Sequence, residues 1–221
     1  MNRNIAAIIA ILMVLTGIAI ASGAPGGAGV DEGDSQRGEG TASGTADLVG
    51  GNVTAVNVTG TQNTGRWGGF FGNISGGYQL GDSTMGLFYE WTVSDYTNAY
   101  VYVADGSVTG WSNLEAAVAT QQPAFLQEAS ADNWTNTFST TEAFNSASIS
   151  IGSVPYTDTY NDAGADTFRT YSLWSPDDTA IVYAGRAIDS ETGFDGSTVD
   201  YQILAPAGST PVSYNFYLEL P

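Results

Sequence analysis

Residues 100–103 read Tyr-Val-Tyr-Val, two aromatic side chains alternating with two β-branched ones. Successive residues of a strand point to opposite faces of a sheet, so this stretch predicts a strand with Val101 and Val103 on one face. The same period of two recurs in the stretches 87–93, 199–203 and 214–219. Aromatic and β-branched residues at this spacing are typical of half-buried antiparallel strands.

Weaker strand patterns fill much of the remaining chain, with turn-forming residues between them. They cover residues 52–59, 67–74, 146–151, 168–174 and 179–188. Pairs such as Asp105-Gly106 and Asp195-Gly196 are typical of tight turns. About nine or ten strands over roughly 170 residues predict an all-β fold, an antiparallel β-sandwich of jelly-roll or immunoglobulin-like form.

One stretch interrupts the period of two. Ser112-Asn113-Leu114-Glu115 has the spacing of a capping box, in which the serine and glutamate side chains accept hydrogen bonds from amides of the first helical turn. Pro123 then ends this helix or begins a second turn that carries Phe125 and Leu126. We therefore expect one or two short helices inserted near residues 112–130.

The chain begins with an apolar leader. Arg3 precedes the uncharged residues 5–21, which end in the small-x-small pattern cut by signal peptidases. We expect residues 1–21 to be a signal peptide. Two alternatives stay open: an uncleaved membrane anchor, and a pilin-type leader cut near Asn4 that keeps the N-terminal apolar helix. All three place the rest of the chain outside the cytoplasm, with membrane contact only through residues 5–21 if they are retained.

A glycine-rich segment follows the leader. Residues 22–46 hold eight glycines and a single large apolar side chain, Val30. Such a segment buries too little apolar surface to offset the entropy lost on ordering. We expect a flexible tether over residues 22–46 and a β-sandwich domain over residues 47–221.

The composition excludes several kinds of chemistry. The chain has no cysteine, histidine or lysine, and five arginines stand against 23 carboxylates, for a net charge of −18. Histidine-activated nucleophiles, lysine Schiff bases, disulfides and histidine or cysteine metal sites are therefore absent. Nucleic acid is not an expected partner, because phosphates are bound by basic patches. We do not expect an enzyme; a carboxylate pair around Glu90, acting as in glycosidases, is the remaining route to hydrolysis.

A dense carboxylate coat with few cations suits concentrated salt. At 1 M ionic strength charges are screened within about 3 Å, so the self-repulsion of an acidic surface costs little. The composition predicts a halophilic protein, with an acidic surface protein from an ordinary habitat as the alternative. The two differ in whether added NaCl raises the stability of the fold.

Three kinds of candidate site occur in the sequence. Four sequons predict N-glycosylation in an exported protein, at Asn52, Asn57, Asn73 and Asn133. Asp158, Asp162 and Asp166 recur every four residues and form a calcium hypothesis, the one cofactor considered, against the simpler interpretation of a solvated loop. Trp111 and Trp134 flank the helical insertion, and we expect them to be exposed and able to stack on sugar rings.

Other aromatic residues favour structural roles. Trp91 lies on an alternating apolar face and is predicted to be in the core. Residues 66–86 combine seven glycines with four aromatic side chains. They predict a hairpin in which glycines make room for rings, with a sugar-stacking platform as the alternative.

Taken together, the leader, the glycine-rich tether, the sequons and an acidic aromatic β-domain without lysine or cysteine resemble archaeal surface and extracellular-filament proteins, either pilin-like or matrix proteins of halophilic type. The resemblance implies a non-enzymatic cell-surface or extracellular structural or adhesion protein, whose partners are other copies of itself or surface glycans.

The sequence also indicates how such a protein would assemble. The segment directly after the tether carries Val53, Val56 and Val58, and a mobile valine-rich segment can add a strand to a neighbour's sheet. We therefore expect a filament subunit that assembles by strand addition. The alternatives are a carbohydrate-binding module, which requires exposed coplanar rings, and a pilin that assembles through its retained helix.

Overall fold

The computed structural model describes residues 24–35, 37–38, 41–82, 84, 86–159 and 168–221. The fold is all-β with antiparallel pairing, which confirms the predicted class. The strands are β1 (Gly26–Gly27), β2 (Trp67–Gly72), β3 (Gly77–Asp82), β4 (Gly86–Thr92), β5 (Tyr100–Ala104), β6 (Glu115–Ala116), β7 (Thr140–Asn145), β8 (Ser150–Asp158), β9 (Arg169–Ser175), β10 (Ala180–Arg186), β11 (Glu191–Thr192), β12 (Thr198–Val199), β13 (Tyr201–Pro206) and β14 (Asn215–Glu219). The helical segments are α1 (Ala124–Gln127), α2 (Trp134–Thr137) and two 3₁₀ turns, Trp111–Asn113 and Ala119–Gln121.

The main sheet has the strand order β1-β14-β5-β10-β9-β8-β7, with β6 also paired to β9. Its central strand β5 is buried over its whole length. Tyr100 and Tyr102 pack into one core cluster, whereas Val103 packs into another on the opposite face. The expectation that this strand is half-buried is therefore wrong, because both faces of the sheet are covered.

A two-stranded sheet of β2 and β13 forms the second layer. Ile203 and Ala205 of β13 pack against Val103, Ile181 and Tyr183 of the main sheet. The backbone amide of Leu204 donates to the Thr170 hydroxyl at 3.0 Å, which ties the two layers together. One part of the core therefore lies between the two layers, and another part lies on the opposite face of the main sheet.

The inserted segment contains short helices, but they begin later than the capping box predicts. Ser112 lies in the first 3₁₀ turn, and Glu115 lies in β6 opposite Trp174, so no capping box forms there. The helices α1 and α2 confirm the expected short helical insertion, with α2 just beyond residue 130. Asn133 caps α2 by accepting a hydrogen bond from the Asn136 amide.

The first part of the described chain departs from expectation in two places. Residues 52–59, expected to be a strand, have no regular secondary structure and are exposed. The segment 22–46 was expected to be a free tether, yet Gly26 and Gly27 pair with β14 and Pro25 is buried. Gly26, Gly27 and Ala28 therefore contact the main sheet although they precede residue 47. Among the described residues no helix is long and apolar enough to span a membrane.

Candidate interaction surface

Strand β14 lies near one edge of the main sheet and is incompletely covered. Its inner side pairs with β5 along its whole length. Its outer side pairs only with Gly26 and Gly27 among the described residues, and the Ala28 amide donates to the Phe216 carbonyl at 3.0 Å. Three residues therefore protect an edge that is five residues long.

The two faces of β14 have different surroundings. Phe216 and Leu218 pack against a small cluster formed by Ile74, Ala99, Val101 and Ala187. Tyr217 points to the other face, where its ring lies 4.9 Å from that of Trp111. Since paired residues of antiparallel strands share a face, Gly26 lies beside Leu218 and Gly27 lies beside Tyr217.

A groove of about 610 Å³ follows this edge. We call it the edge groove; it is lined by residues 26–31, residues 71–77 and the side chains of Val101, Tyr201, Phe216, Leu218 and Leu220. A Cβ atom placed on Gly26 or Gly27 meets no other atom within 4 Å. Strand β1 therefore supplies backbone hydrogen bonds to the edge but no side chains to the groove.

Two polar contacts hold the groove wall in position. The buried carboxylate of Asp200 accepts hydrogen bonds from the amides of Ile74 at 2.7 Å and Ser190 at 2.9 Å. The Tyr96 hydroxyl bonds to both the amide and the carbonyl of Gly76. The wall formed by residues 71–77 is thus fixed to the sandwich, and the groove is part of the folded structure.

A hairpin of β3 and β4 rises from the rim of the groove. Tyr78 lies opposite Trp91, and Leu80 lies opposite Tyr89, so these four side chains share one face, which we call the hairpin face. Their exposed fractions lie between 46% and 55%. At the base of the hairpin the Tyr78 hydroxyl donates to the Pro221 carbonyl at 2.7 Å. A two-stranded hairpin is only marginally stable alone. An exposed apolar face such as this one is typical of an interaction site.

The tryptophans are placed opposite to expectation. Trp111 and Trp134, expected to be exposed, are each only 7% exposed. Trp111 packs against Tyr102, and Trp134 donates its indole N–H to the Ser172 hydroxyl. Trp91, expected in the core, is about half exposed on the hairpin face. The residue pattern shows which side chains share a face, but not whether another element covers that face.

The sequons differ in accessibility. Asn52 and Asn57 lie in the exposed residues 41–64, and Asn73 is exposed on the edge groove. Asn133 is only partly exposed, and its side-chain amide donates to the Glu128 carbonyl. Three of the four asparagines therefore present a free amide group to solvent.

The valines proposed for strand addition lie in the same exposed segment. Val53, Val56 and Val58 are 101%, 55% and 89% exposed. Within the described part of the chain, residues 53–60 make no backbone hydrogen bond. The segment is therefore free to pair with another strand, although it forms none in the isolated chain.

The calcium hypothesis gains no support from Asp158. Its carboxylate accepts a hydrogen bond from the Arg169 guanidinium at 2.8 Å. Asp162 and Asp166 lie outside the described residues. No cluster of three acidic side chains able to hold a metal occurs in the described ranges. Calcium at these three positions stays a prediction.

One pair of carboxylates, Glu142 and Asp158, is joined by an arginine. Arg169 bridges Glu142 and Asp158, and the Tyr171 hydroxyl also donates to Glu142. Burial opposes ionisation of Glu142, but hydrogen bonds from Tyr171 and Arg169 outweigh it and lower its pKa. Glu90 lies opposite Gln79 in the hairpin, so no carboxylate faces it there. The glycosidase alternative therefore gains no support from these residues.

Comparison with protein-family models, curated proteins and solved structures finds no match for this chain. The edge groove and the hairpin face are therefore the features from which a function is inferred.

Proposed function

We propose that this chain is a non-enzymatic structural or adhesion protein of the cell surface or extracellular space, a filament subunit that associates with copies of itself. The observation that carries the proposal is the edge of β14, which is closed by two glycines beside the edge groove. An edge strand is a template for another chain, and natural proteins usually protect it with charges, bulges or bulky cover.

The other end of the main sheet is protected in that way. The terminal strand β7 carries Glu142, which is held by Arg169 and Tyr171. A charged network on an edge strand opposes pairing with a further strand. The protection of β7 and the glycine cover of β14 together favour β14 as the assembly edge.

Several features support an exported, surface location. The apolar residues 5–21 lie outside the described part of the chain, and the three interpretations of the leader stay open. Asn52, Asn57 and Asn73 are accessible to glycosylation. The net charge of −18 suits a protein facing concentrated salt.

The test is direct observation of the native protein. Electron microscopy of the cell surface, with N-terminal sequencing and analytical ultracentrifugation of the recovered protein in about 3 M NaCl, measures assembly under screened conditions. We expect filaments or large oligomers. A protein that sediments as a monomer at every salt and protein concentration contradicts the proposal. The N-terminal sequence decides between a cleaved signal and a retained helix.

Glycan binding is the second candidate function, and the hairpin face supports it. Tyr78, Tyr89 and Trp91 are exposed aromatic rings, as a carbohydrate-binding module requires. However, the planes of Tyr89 and Trp91 are inclined by 61°, so these two rings do not form a flat platform. Titration of tryptophan fluorescence with polysaccharides tests this function. A spectral shift that is lost in Trp91→Phe supports it, and no shift with any polysaccharide contradicts it.

A further inference from the structure

We infer that the edge groove receives residues 54–58 from a second copy of this chain, which displace Gly26–Ala28 and pair with β14. The inference rests on the proposed self-association and names the two surfaces that meet. One surface is the edge groove, and the other is the exposed valine segment, which we call the donor segment.

The donor segment has the pattern that the groove requires. In an extended conformation Thr54, Val56 and Val58 lie on one face, because side chains alternate. One residue separates the two valines, as one residue separates Phe216 from Leu218 on the groove side of β14. Donor valines would therefore meet both apolar side chains of β14 in one register.

The exchange of strands conserves the backbone contacts and adds side-chain contacts. The donor segment replaces the hydrogen bonds that Gly26–Ala28 make with β14. Its side chains enter the space beside Gly26, where an added Cβ meets no atom within 4 Å. Because the hydrogen bonds are exchanged for equivalent ones, burial of the two valines favours the donor segment over the glycines.

Charge favours a second copy of this chain as the donor. The only charged residues between Leu48 and Tyr89 are Arg66 and Asp82, so this stretch is neutral in a chain of net charge −18. Among the groove-lining residues Asp31 alone is charged. Two acidic copies therefore repel each other least where the donor segment meets the groove.

The two surfaces also determine the kind of assembly. Donor segment and groove are different parts of one chain, so each copy offers one of each. Such a head-to-tail contact is heterologous, and it forms an open filament unless the rotation between copies closes a ring.

Engineered disulfides test the contact directly, because the chain has no cysteine. Copies carrying Leu218→Cys are mixed with longer, tagged copies that carry one cysteine at position 54, 55, 56, 57 or 58, and the mixture is oxidised. Neighbouring residues of paired strands lie within disulfide range. In this register position 56 lies opposite position 218, so we expect most mixed dimer with cysteine at 56, less at the diagonal positions 54 and 58, and none at 55 and 57 on the other face. Equal cross-linking at odd and even positions overturns the inference.

A copy that carries both cysteines distinguishes pairing between two copies from pairing within a single copy. If Leu218→Cys and Val56→Cys bridge inside a single copy at high dilution and mixed dimers do not form, the donor segment fills its own groove and the inference is wrong.

Measuring the assembly of matched variants shows whether a failure concerns this inference or the proposed function. Val56→Thr with Val58→Thr keeps side-chain shape but removes apolar surface, and we expect loss of assembly. Val53→Thr changes the valine just before the donor segment, on the other face of the extended chain, and should assemble as the wild type does. If the wild type assembles and the double variant assembles equally well, the inference fails and the proposed function stands. A wild type that never assembles overturns both.

Discussion

Gly26 lies directly opposite Leu218 in the register between β1 and β14, and it offers that leucine no side chain. The edge of the main sheet is thus completed by hydrogen bonds alone, with open space where a side chain would pack. A strand held in this way separates easily from the sheet, since apolar burial adds nothing to its pairing.

The first prediction concerns that open space. Gly26→Val places a β-branched side chain beside Leu218 without a clash, so we expect β1 to be held about 1 kcal/mol more tightly. Hydrogen exchange of the Ala28 amide, which donates to Phe216, should slow about fivefold. If the donor segment displaces β1, the same variant should also weaken assembly.

Two other glycines provide the controls. Gly27→Val changes the same strand on the Tyr217 side, and Gly33→Val lies outside the strand; a Cβ on either meets no atom within 4 Å. Gly33→Val should leave Ala28 exchange unchanged. Faster exchange in Gly26→Val would show that the groove beside Leu218 is not free.

The second prediction concerns the hairpin face. Trp91→Thr removes the partner of Tyr78 and the ring contact with Tyr89, whose centroid lies 4.7 Å away. Cross-strand aromatic pairs contribute about 0.5–1 kcal/mol, so amides of β3 and β4 should exchange roughly threefold to fivefold faster. The thermal midpoint of the sandwich should hardly change. Phe88→Thr, at an 82% exposed position, is the control and should alter hairpin exchange much less.

The third prediction concerns acid stability. The Asp178 carboxylate accepts hydrogen bonds from the amides of Gly110 and Thr109 and from the Ser175 hydroxyl, which lower its pKa. Its ionised form stabilises the fold above the unfolded-state pKa of about 3.9, and that stability is lost as the pH falls below this value. Asp178→Asn should therefore have a lower thermal midpoint than the wild type at pH 7. On acidification, the midpoint of the variant should fall less than that of the wild type.

The adjacent residue is a matched control for this effect. Asp177 accepts one side-chain hydrogen bond, from Asn113 at 2.7 Å. At pH 7, Asp177→Asn should lower the thermal midpoint less than Asp178→Asn does, because it removes fewer hydrogen bonds. Parallel acid curves for the wild type and Asp178→Asn would contradict the role assigned to Asp178.

The fourth prediction concerns a buried carboxylate at the end of β14. Glu219 is 3% exposed and accepts hydrogen bonds from the Tyr102 hydroxyl and the Ser148 amide. Tyr102→Phe leaves the carboxylate with one donor fewer, so the free energy of unfolding should fall by about 1–3 kcal/mol in chemical denaturation. Tyr78→Phe removes a hydroxyl whose bond to the Pro221 carbonyl is exposed to solvent, and it should cost less than about 0.5 kcal/mol. Equal losses in the two variants would contradict this prediction.

The fifth prediction concerns salt. Ion pairs among the described residues involve Arg66, between Glu128 and Asp132, and Arg169, between Glu142 and Asp158. With a net charge of −18, the acidic side chains of the chain repel one another overall. The thermal midpoint should rise with NaCl, mostly below about 1 M, where the screening length falls to about 3 Å. A flat or falling midpoint would favour the non-halophilic alternative.

Much of the fold follows from local sequence pattern. The alternation at residues 100–103 and 214–219 predicts two strands, and the structure pairs them as β5 and β14. Residues 52–59 carry a weaker alternating pattern, and this segment forms no strand. A pattern of side chains permits a strand, but the strand forms only where another strand supplies hydrogen bonds.

The candidate site was predicted only in part. The valines of the donor segment stand out in the sequence as an alternating run, whereas the groove does not. Its walls come from residues 26–31, 71–77, 216–218 and Leu220, which are far apart along the chain. The significance of Gly26 depends on its position opposite Leu218, which no local pattern reports.

By itself, the sequence determined the all-β class, the acidic surface and the kinds of chemistry that are absent, because each depends on composition or on the period of neighbouring residues. The tertiary structure alone decided that Trp111 is buried while Trp91 is exposed, and that the glycine-rich segment closes the edge of β14. The physical reason is that burial and edge pairing depend on which distant residues come into contact, and both faces of a strand look alike until something packs against one of them.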